Sequence, residues 1–421
     1  MRRTLKQHLF DPGPKRILSL DGGGVRGLIT LGMLQQVEDV LKQRSGKGDD
    51  FRLSDYFDLI GGTSTGALIA TLLALGETVE DIKKLYMRMC PRIFKKGSWF
   101  TGLKSKFDSN AFDAIVAEEF KKVLRDSGVN PDKEPSMDTH LLRTGIALVT
   151  KRVDSDAVWV LTNNPKNKFW DRNSEPWNDY WAKPEHSEIQ FYPNRDYLLR
   201  KVAQASASAP FYFDPIEFKI SDNEQGLFFD GGASPNNNPS SELFLMSTLK
   251  SFSEDKTIPR HSPHGFGWQT GADNLYMLSL GTGTWRERVG VKEFNSKVAL
   301  KKAIHALRGI ISDAETANVV LMQALSENSP GYYVNLNLGD MNGLRIVEDP
   351  LLSFHRVNVV LDRSWLSQNL GDEFDYSDVI VSKLKQLDLP EKANLNRCFE
   401  VGLQTGQKFI SDKMFPERFN I

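Results

Sequence analysis

A serine between two glycines is the side chain of this sequence that we expect to act as a nucleophile. Gly62–Gly66 reads GTSTG and stands between the apolar runs FDLI and ALIATLLAL. The first run is typical of a buried strand and the second of a buried helix. A G-x-S-x-G sequence at a strand–turn–helix junction lifts the serine hydroxyl clear of the backbone. We therefore predict that Ser64 is a nucleophile; the alternative is a glycine turn whose serine only caps the helix.

A glycine-rich segment earlier in the chain predicts a loop that binds an anion. LDGGGVRG at residues 20–27 follows the apolar run ILSL, and apolar residues then recur at helical spacing as far as Leu41. In such a loop the backbone N–H groups converge, and the following helix adds the positive end of its dipole. The segment contains G-x-G-x-x-G, but the acidic residue that a dinucleotide site places after a second strand is missing. We expect a transient oxyanion instead, bound by the N–H groups of Gly23, Gly24 and Thr65.

A base must accept the proton of the serine, and an aspartate at the end of a strand is the first candidate. Asp230 follows the apolar residues LFF, and Gly231 and Gly232 after it leave room for other groups to approach. The ordinary pKa of an aspartate, about 3.9, makes it a weak base at neutral pH. Burial beside the serine would raise that pKa and make the carboxylate a better base. The competing interpretation is a carboxylate that only caps the turn before ASPNNNP.

Histidine is the usual base for a serine nucleophile, and the sequence contains seven histidines. They are His8, His140, His186, His261, His264, His305 and His355. His261 and His264 fit the chain order serine, acid, histidine of the α/β-hydrolases when combined with Ser64 and Asp230. Both lie in a polar loop that contains prolines, where we expect exposed side chains, so this triad is the weaker interpretation.

The composition is that of an ordinary globular protein and excludes several classes. The 421 residues include 53 Lys and Arg against 54 Asp and Glu, so the net charge of -1 does not favour a nucleic-acid polymer as partner. Two cysteines, Cys90 and Cys398, exclude a disulfide framework. The most apolar run, residues 67–75, is too short to span a bilayer, and the N-terminus lacks the pattern of a secretory signal. We expect a cytoplasmic protein with peripheral membrane contact.

Strand-like apolar runs alternate with helical patterns, which predicts an α/β fold with a largely parallel sheet. We expect an N-terminal extension at 1–15, a catalytic core at 16–285 and mostly helical elements packed on the core at 286–421. The core carries an insertion at about 161–193 that is rich in Pro, Asn and Trp. In the C-terminal region the patterns predict helices at 298–311, 314–325, 376–387 and 391–413 and a strand at 356–361.

Three segments in this order, DGGGVRG, GTSTG and DGG, resemble the patatin-like phospholipases. The resemblance extends over about residues 16–284 and includes ASASAPFYFDP and SLGTGT, with Ala67 as a departure where many relatives have glycine. It implies a three-layer α/β/α fold and a dyad of Ser64 and Asp230 that works without histidine. The residues that it assigns to the oxyanion loop are Gly22, Gly23, Gly24 and Arg26, and Gly62, Gly66, Gly231 and Gly232 complete the motifs.

The reaction implied by the resemblance is hydrolysis of fatty acyl esters of phospholipids or lysophospholipids through an acyl-serine, with no metal or organic cofactor. Some bacterial relatives are dormant lipases of anti-phage defence that cyclic oligonucleotides activate, so a ligand-gated phospholipase is the alternative. Two segments are the places to look for such a ligand, although inward packing explains both more simply. Residues 95–107 interleave Lys with aromatics, as an anionic lipid interface requires, and the tryptophans of 161–193 suit a lid. A homodimer is compatible with the sequence.

Overall fold

A large mixed sheet organises the chain. The computed structural model describes residues 2–94, 107–250, 263–286, 290–292, 299–328, 333–335, 339–341, 343–371 and 376–421. The strands are β1 (Lys15–Leu20), β2 (Leu59–Thr63), β3 (Gly145–Arg152), β4 (Ala157–Thr162), β5 (Ile216–Ser221), β6 (Glu224–Asp230), β7 (Leu275–Leu280), β8 (Glu327–Asn328), β9 (Tyr333–Asn335), β10 (Gly339–Asp340) and β11 (Ser353–Val357). The main sheet has the order β5-β6-β3-β2-β1-β7-β11-β8, with β4 also paired to β3, whereas β9 and β10 pair separately.

Helices cover both faces of this sheet. They are α1 (Leu5–Phe10), α2 (Gly27–Ser45), α3 (Leu53–Tyr56), α4 (Thr65–Leu75), α5 (Val79–Ile93), α6 (Ser109–Asp126), α7 (Asn178–Trp181), α8 (Pro184–Ser187), α9 (Leu199–Ser206), α10 (Ser240–Thr248), α11 (Ala299–Ala324), α12 (Arg363–Leu370), α13 (Asp378–Leu384) and α14 (Lys392–Phe409). Successive strand residues enter different cores, as the alternation of side chains requires. Leu18 packs in the core built with α2 and α4, and Ile17 packs in the core built with α10 and α11. The predicted three-layer α/β/α fold is confirmed.

The centre of the sheet is parallel and one side of it is antiparallel. β1 pairs in parallel with β2 and β7, β2 with β3, and β7 with β11. β6 runs antiparallel to both β3 and β5. The prediction of a largely parallel sheet is confirmed, and the antiparallel β6 is the strand that ends at Asp230.

The C-terminal region contributes to the same layers. β11 extends the sheet beside β7, and α14 packs along α2 so closely that a Cβ on Gly402 would lie 2.0 Å from the carbonyl oxygen of Ile29. Two predictions for this region were wrong in detail. α11 is one helix where we expected two, because the intervening residues 312–313 do not break it. The strand is Ser353–Val357 rather than 356–361, because its register follows β7.

The N-terminal residues are also tied to the sheet. Leu9 is buried in the core beside α10, and its carbonyl oxygen accepts a hydrogen bond from Trp268 Nε1 at 2.9 Å. His8 Nδ1 lies 2.9 Å from Asp58 Oδ1, and Arg16 donates to both oxygens of the same carboxylate. These contacts hold α1 against the start of β2.

The tryptophans of residues 161–193 point inward. Trp170, Trp177 and Trp181 are each at most 5% exposed. Lys168 Nζ lies 4.0 Å from the centre of the Tyr180 ring, so the aromatic cluster already contacts a cation of the same segment. Packing therefore accounts for these residues, as the simpler interpretation of the sequence predicts, and the alternative of a lid has no support from their positions.

Residues 95–107, for which a lipid interface was the alternative to inward packing, lie outside the described residues except for Phe107. Phe107 is 3% exposed and packs against Phe94, Tyr212 and Phe213. Its side chain therefore belongs to the core. None of the helices in the described part of the chain combines the length and the apolar character needed to cross a bilayer.

Candidate active site

Ser64 occupies a strained turn between β2 and α4. Its φ of 56° and ψ of -126° lie outside the regions that non-glycine residues usually adopt. The flanking glycines are required by contact with backbone atoms. A Cβ on Gly62 would lie 2.3 Å from the carbonyl oxygen of Gly66, and one on Gly66 would lie 2.3 Å from that of Leu20. The turn therefore presents the serine side chain at the N-terminus of a buried helix, which is the geometry of a nucleophile elbow.

The side chains of Ser64 and Asp230 are in direct contact. Ser64 Oγ donates a hydrogen bond of 2.6 Å to Asp230 Oδ2, and the two residues are 9% and 4% exposed. β3 brings them together, because it pairs with β2, which leads to Ser64, and places Thr150 opposite Asp230 on β6. The N–H of Asp230 donates to the carbonyl oxygen of Ser208 at 3.0 Å, which fixes the end of the strand.

The surroundings of Asp230 change its acidity. Burial raises the pKa of Asp230 to about 7, and the hydrogen bonds from Ser64 Oγ and from the N–H of Gly232 oppose that rise. The Gly232 N–H lies 2.7 Å from Oδ1, so each carboxylate oxygen has one donor. A carboxylate with a pKa near neutrality is a more effective proton acceptor for a serine than an ordinary aspartate.

Another serine positions the backbone of Ser64. The N–H of Ser64 donates to Ser206 Oγ at 2.9 Å, and Ser206 Oγ donates to the carbonyl oxygen of Val149 at 2.5 Å. Ser206 is completely buried at the end of α9. We did not identify this residue from the sequence, although it lies in the segment ASASAP that carried part of the resemblance.

The glycine loop packs against Ser64 and keeps two donors free. A Cβ on Gly22 would lie 2.9 Å from Ser64 Cβ, so the loop contacts Ser64 directly. The N–H of Gly22 is committed to the carbonyl oxygen of Asn237 at 3.1 Å. The N–H groups of Gly23 and Gly24 donate to no acceptor within the described residues. An oxygen that becomes negatively charged beside Ser64 therefore has Gly23 and Gly24, rather than Gly22, as candidate donors.

The side chains of Arg26 and Thr65 are both engaged in contacts with other parts of the protein. Arg26 Nη1 donates to the carbonyl oxygen of Gly283 at 3.1 Å, and its guanidinium lies 4.8 Å from the Trp285 ring. The hydroxyl of Thr65 lies 2.9 Å from Tyr86 Oη. The side chain of Arg26 thus holds the loop to the segment after β7, and Thr65 can serve an oxyanion only through its N–H, which belongs to the first turn of α4.

A buried ion-pair network lies behind the glycine loop. Arg356 on β11 binds both oxygens of Asp21 at 2.9 and 2.6 Å, and the two side chains are 2% and 1% exposed. Burial raises the pKa of Asp21, and the guanidinium of Arg356 opposes that rise. Arg356 also reaches Glu315 on α11 at 3.2 Å, and Asn238 Nδ2 donates to Asp21 Oδ1 at 2.9 Å. We did not identify Arg356 and Glu315 from the sequence, because they lie outside every motif.

Histidine side chains do not complete the site within the described residues. His261 lies outside them. His264 is partly buried rather than exposed as expected, its pKa is lowered by burial, and its carbonyl oxygen accepts a hydrogen bond from Asn164 Nδ2. Ser64 Oγ donates to Asp230, and neither residue is hydrogen-bonded to a histidine in the described part of the chain. The described residues also contain no group of three His, Cys, Asp or Glu arranged to hold a metal ion.

The strand–turn–helix serine, its buried aspartate partner and the three layers define an α/β protein with a nucleophile elbow. Residues 18–244, more than half of the chain, match the patatin-like phospholipases. The chain belongs to this family, and the resemblance seen in the sequence is confirmed.

Two relatives and one solved structure illustrate the range of the similarity. Patatin-like protein 2 of Arabidopsis thaliana is 29% identical over 295 residues, 67% of this chain and 62% of the relative. A cGAMP-activated phospholipase of Escherichia coli is 24% identical over 269 residues, 63% of this chain and 62% of the relative. The chain therefore spans about three fifths of the length of these relatives. The structure of human GIVD cytosolic phospholipase A2 is 11% identical to this chain, with a TM-score of 0.38. The match covers 96% of this chain and 61% of that structure.

Proposed function

We propose that this protein is a serine acyl hydrolase that cleaves fatty acyl esters of phospholipids or lysophospholipids. The observation that carries the proposal is the hydrogen bond of 2.6 Å from Ser64 Oγ to Asp230 Oδ2, at a turn whose glycines bring a loop of free N–H groups against the serine. Membership of the patatin-like phospholipase family supports a lipid ester as the substrate class.

In the first half of the reaction, Ser64 Oγ attacks the ester carbonyl carbon while its proton moves to Asp230. The carbonyl oxygen becomes an oxyanion, which the N–H groups of Gly23 and Gly24 stabilise, with that of Thr65 as a third donor. The intermediate collapses to an acyl-serine, and the departing alkoxide of the lysophospholipid takes the proton from Asp230.

In the second half, Asp230 takes a proton from a water molecule that attacks the acyl-serine. A second tetrahedral oxyanion forms at the same donors and collapses, and the free fatty acid leaves. The proton on Asp230 returns to Ser64 Oγ, so the enzyme is restored with one water consumed. No histidine takes part, and Asp230 serves both as base and as acid.

The test combines a covalent probe with product release. A fluorophosphonate probe is expected to label Ser64, identified by mass spectrometry of the peptide, and fatty acid release from phosphatidylcholine or lysophosphatidylcholine vesicles is expected to disappear in Ser64→Ala and Asp230→Asn. The matched controls are Ser247→Ala, a buried serine of α10, and Asp222→Asn, an exposed aspartate next to β6. Full activity of both Ser64→Ala and Asp230→Asn would contradict the proposal that these two residues form a catalytic dyad.

A second candidate function is a phospholipase gated by a cyclic dinucleotide. The similarity to an Escherichia coli cGAMP-activated phospholipase over 63% of this chain favours it. Fatty acid release would then be negligible for the protein alone and would appear after addition of cyclic GMP–AMP. Equal rates with and without a panel of cyclic dinucleotides would identify an enzyme that needs no such activator.

A further inference from the structure

A large cleft lies between the N-terminal segment and the end of the helix that follows Ser64. Its volume is about 1000 Å³, and its walls include residues 2–6, 75–78 and 139–143. Eight Lys and Arg side chains and His140 line the cleft, against four Asp and Glu side chains. The whole chain carries a net charge of -1, so this excess of cations is a local feature. A cleft of this size accommodates a ligand as large as a nucleotide.

Several of these cations already have carboxylate partners, and three do not. Arg88 pairs with Glu119 at 2.8 Å, and Arg3 pairs with Asp58 at 2.7 Å. Lys6, Arg52 and Arg143 form no salt bridge with any residue that the structure describes. Arg52 Nε instead donates to the carbonyl oxygen of Gly76 at 2.9 Å. Lys and Arg therefore outnumber Asp and Glu in the cleft, and the charged groups of these three residues have no direct contact with a carboxylate of the described residues.

Arg143 is the cation whose position most requires an explanation. Its Nη1 is buried and has no hydrogen-bond acceptor among the described residues. The guanidinium lies against Gly76, which has a φ of +91°, and a Cβ there would lie 2.0 Å from Arg143 Cζ. Burial lowers the pKa of Arg143, the nearby Arg2 and Arg52 lower it further, and the charges of Asp55 and Glu77 oppose that change. A buried guanidinium donor without an acceptor is unfavourable, and an anion would supply the missing acceptor.

We propose that this cleft binds a soluble, phosphate-bearing ligand of nucleotide size, and that Arg143 and Lys6 contact its phosphate oxygens. Guanidinium groups match the geometry of phosphate oxygens and bind them through two parallel hydrogen bonds. The proposal goes beyond acyl hydrolysis, because the cleft is not the acyl site. α4 begins directly after Ser64 and ends at Leu75 beside the cleft, and its 11 residues span about 16 Å at ~1.5 Å per residue.

The cleft is connected to α4 by hydrogen bonds on both of its sides. The N–H of Arg143 donates to the carbonyl oxygen of Ala74 at 2.8 Å, and Arg52 donates to that of Gly76. A phosphate that engages these arginines therefore contacts groups that hold the C-terminus of the helix in place. These hydrogen bonds join the cleft to the C-terminal end of the helix whose N-terminus follows Ser64.

The test is isothermal titration calorimetry of the full chain with inorganic pyrophosphate, ATP and cyclic dinucleotides. At least one probe is expected to bind, with an affinity that falls at least tenfold in Arg143→Gln and in Lys6→Gln and that recovers in part in Arg143→Lys. Lys392→Gln, an exposed lysine at the start of α14, is the matched control and leaves the affinity unchanged. Circular dichroism verifies that each variant is folded. If Arg143→Gln does not fold, the affinity of Lys6→Gln still tests the proposal, because Lys6 is exposed.

Three outcomes overturn the proposal. They are the absence of binding by every soluble probe, binding that neither Arg143→Gln nor Lys6→Gln weakens, and binding only to phosphatidylglycerol vesicles. A parallel titration with phosphatidylglycerol vesicles separates a soluble phosphate from a lipid headgroup. Since the measurement is binding and not turnover, it stands whether or not the protein hydrolyses phospholipids.

Discussion

Ser64 Oγ donates a hydrogen bond of 2.6 Å to Asp230 Oδ2 across a separation of 166 residues in the chain. Both side chains are buried, so solvent does not screen their interaction. The contact depends on β3, which pairs with the strand before Ser64 on one side and with the strand that ends at Asp230 on the other.

The pH dependence of turnover follows from the acidity of Asp230. Burial raises its pKa to about 7, and only the ionised carboxylate can accept the serine proton. We therefore expect kcat/KM to rise about tenfold per pH unit below pH ~7 and to level off above it. The measurement is release of a chromogenic acyl ester product between pH 5 and 9. A flat profile, or a midpoint near the ordinary aspartate pKa of about 3.9, would contradict this role.

The same raised pKa makes Asp230 a source of instability at high pH. The unfolded chain binds fewer protons than the native state between pH ~4 and ~7, so the contribution of Asp230 to stability is lost as the pH rises through about 7. Asp230→Asn removes the buried charge, and we expect it to raise the free energy of unfolding at pH 8 by up to ~4 kcal/mol.

The gain should be smaller at pH 5, where most of the native protein carries a proton on Asp230. Urea unfolding of both proteins at the two pH values measures it, with Asp222→Asn as the exposed control. A variant that is less stable than the wild type at pH 8 would show that the hydrogen bonds of the carboxylate outweigh its burial.

Local sequence patterns led to Ser64, Asp230 and the glycine loop, because each lies in a short motif whose glycines are needed for close backbone contact. A Cβ on Gly62, Gly66 or Gly22 would lie 2.9 Å or less from another atom. Because only glycine fits at these positions, the glycines in the sequence indicate where the turns are. The alternation of apolar strands and helices likewise predicted the layers.

The rest of the site depends on contacts that no local pattern records. Arg356 lies 335 residues from Asp21, in a strand whose register against β7 sets its position. Ser206 is one of several serines in its segment, and only the crossing of α9 over β3 distinguishes it. His264 lies in a polar loop, yet packing against the residues around Asn164 partly buries it. The spacing of residues along the chain does not indicate these long-range contacts.

Ser206 accepts a hydrogen bond from the N–H of Ser64, and its removal should affect both stability and turnover. Ser206→Ala leaves the buried N–H of Ser64 and the carbonyl oxygen of Val149 without their side-chain partner. An unsatisfied buried polar group costs about 1–3 kcal/mol, so the free energy of unfolding should fall by that amount. We expect kcat to decrease with little change in KM, because Ser206 contacts the backbone of Ser64 and not the substrate.

The control for Ser206→Ala is Ser247→Ala, since Ser247 is a buried serine whose hydroxyl donates to the carbonyl oxygen of Phe244 in its own helix. If both variants lose the same free energy of unfolding but only Ser206→Ala loses kcat, then Ser206 positions Ser64 for the reaction. If both variants kept full kcat, Ser206 would be a structural residue only.

Arg356 should hold the glycine loop through Asp21. Arg356→Ala leaves a carboxylate that is 1% exposed without its bidentate partner, and breaking a buried pair on one side costs about 3–5 kcal/mol. Asp21 immediately precedes the loop whose Gly23 and Gly24 N–H groups are the candidate oxyanion donors, so kcat should fall more than KM rises. Arg356→Lys retains the charge but loses the bidentate geometry, and we expect it to restore part of kcat and stability.

The double variant Asp21→Asn/Arg356→Met separates stability from positioning. It removes both charges, so it should recover most of the free energy of unfolding that Arg356→Ala loses. Its kcat should remain low, because the loop is no longer fixed by the bidentate pair that joins β11 to the end of β1. Steady-state kinetics and urea unfolding on the same preparations give both quantities. A double variant with wild-type kcat would mean that the glycine loop keeps its conformation without Arg356.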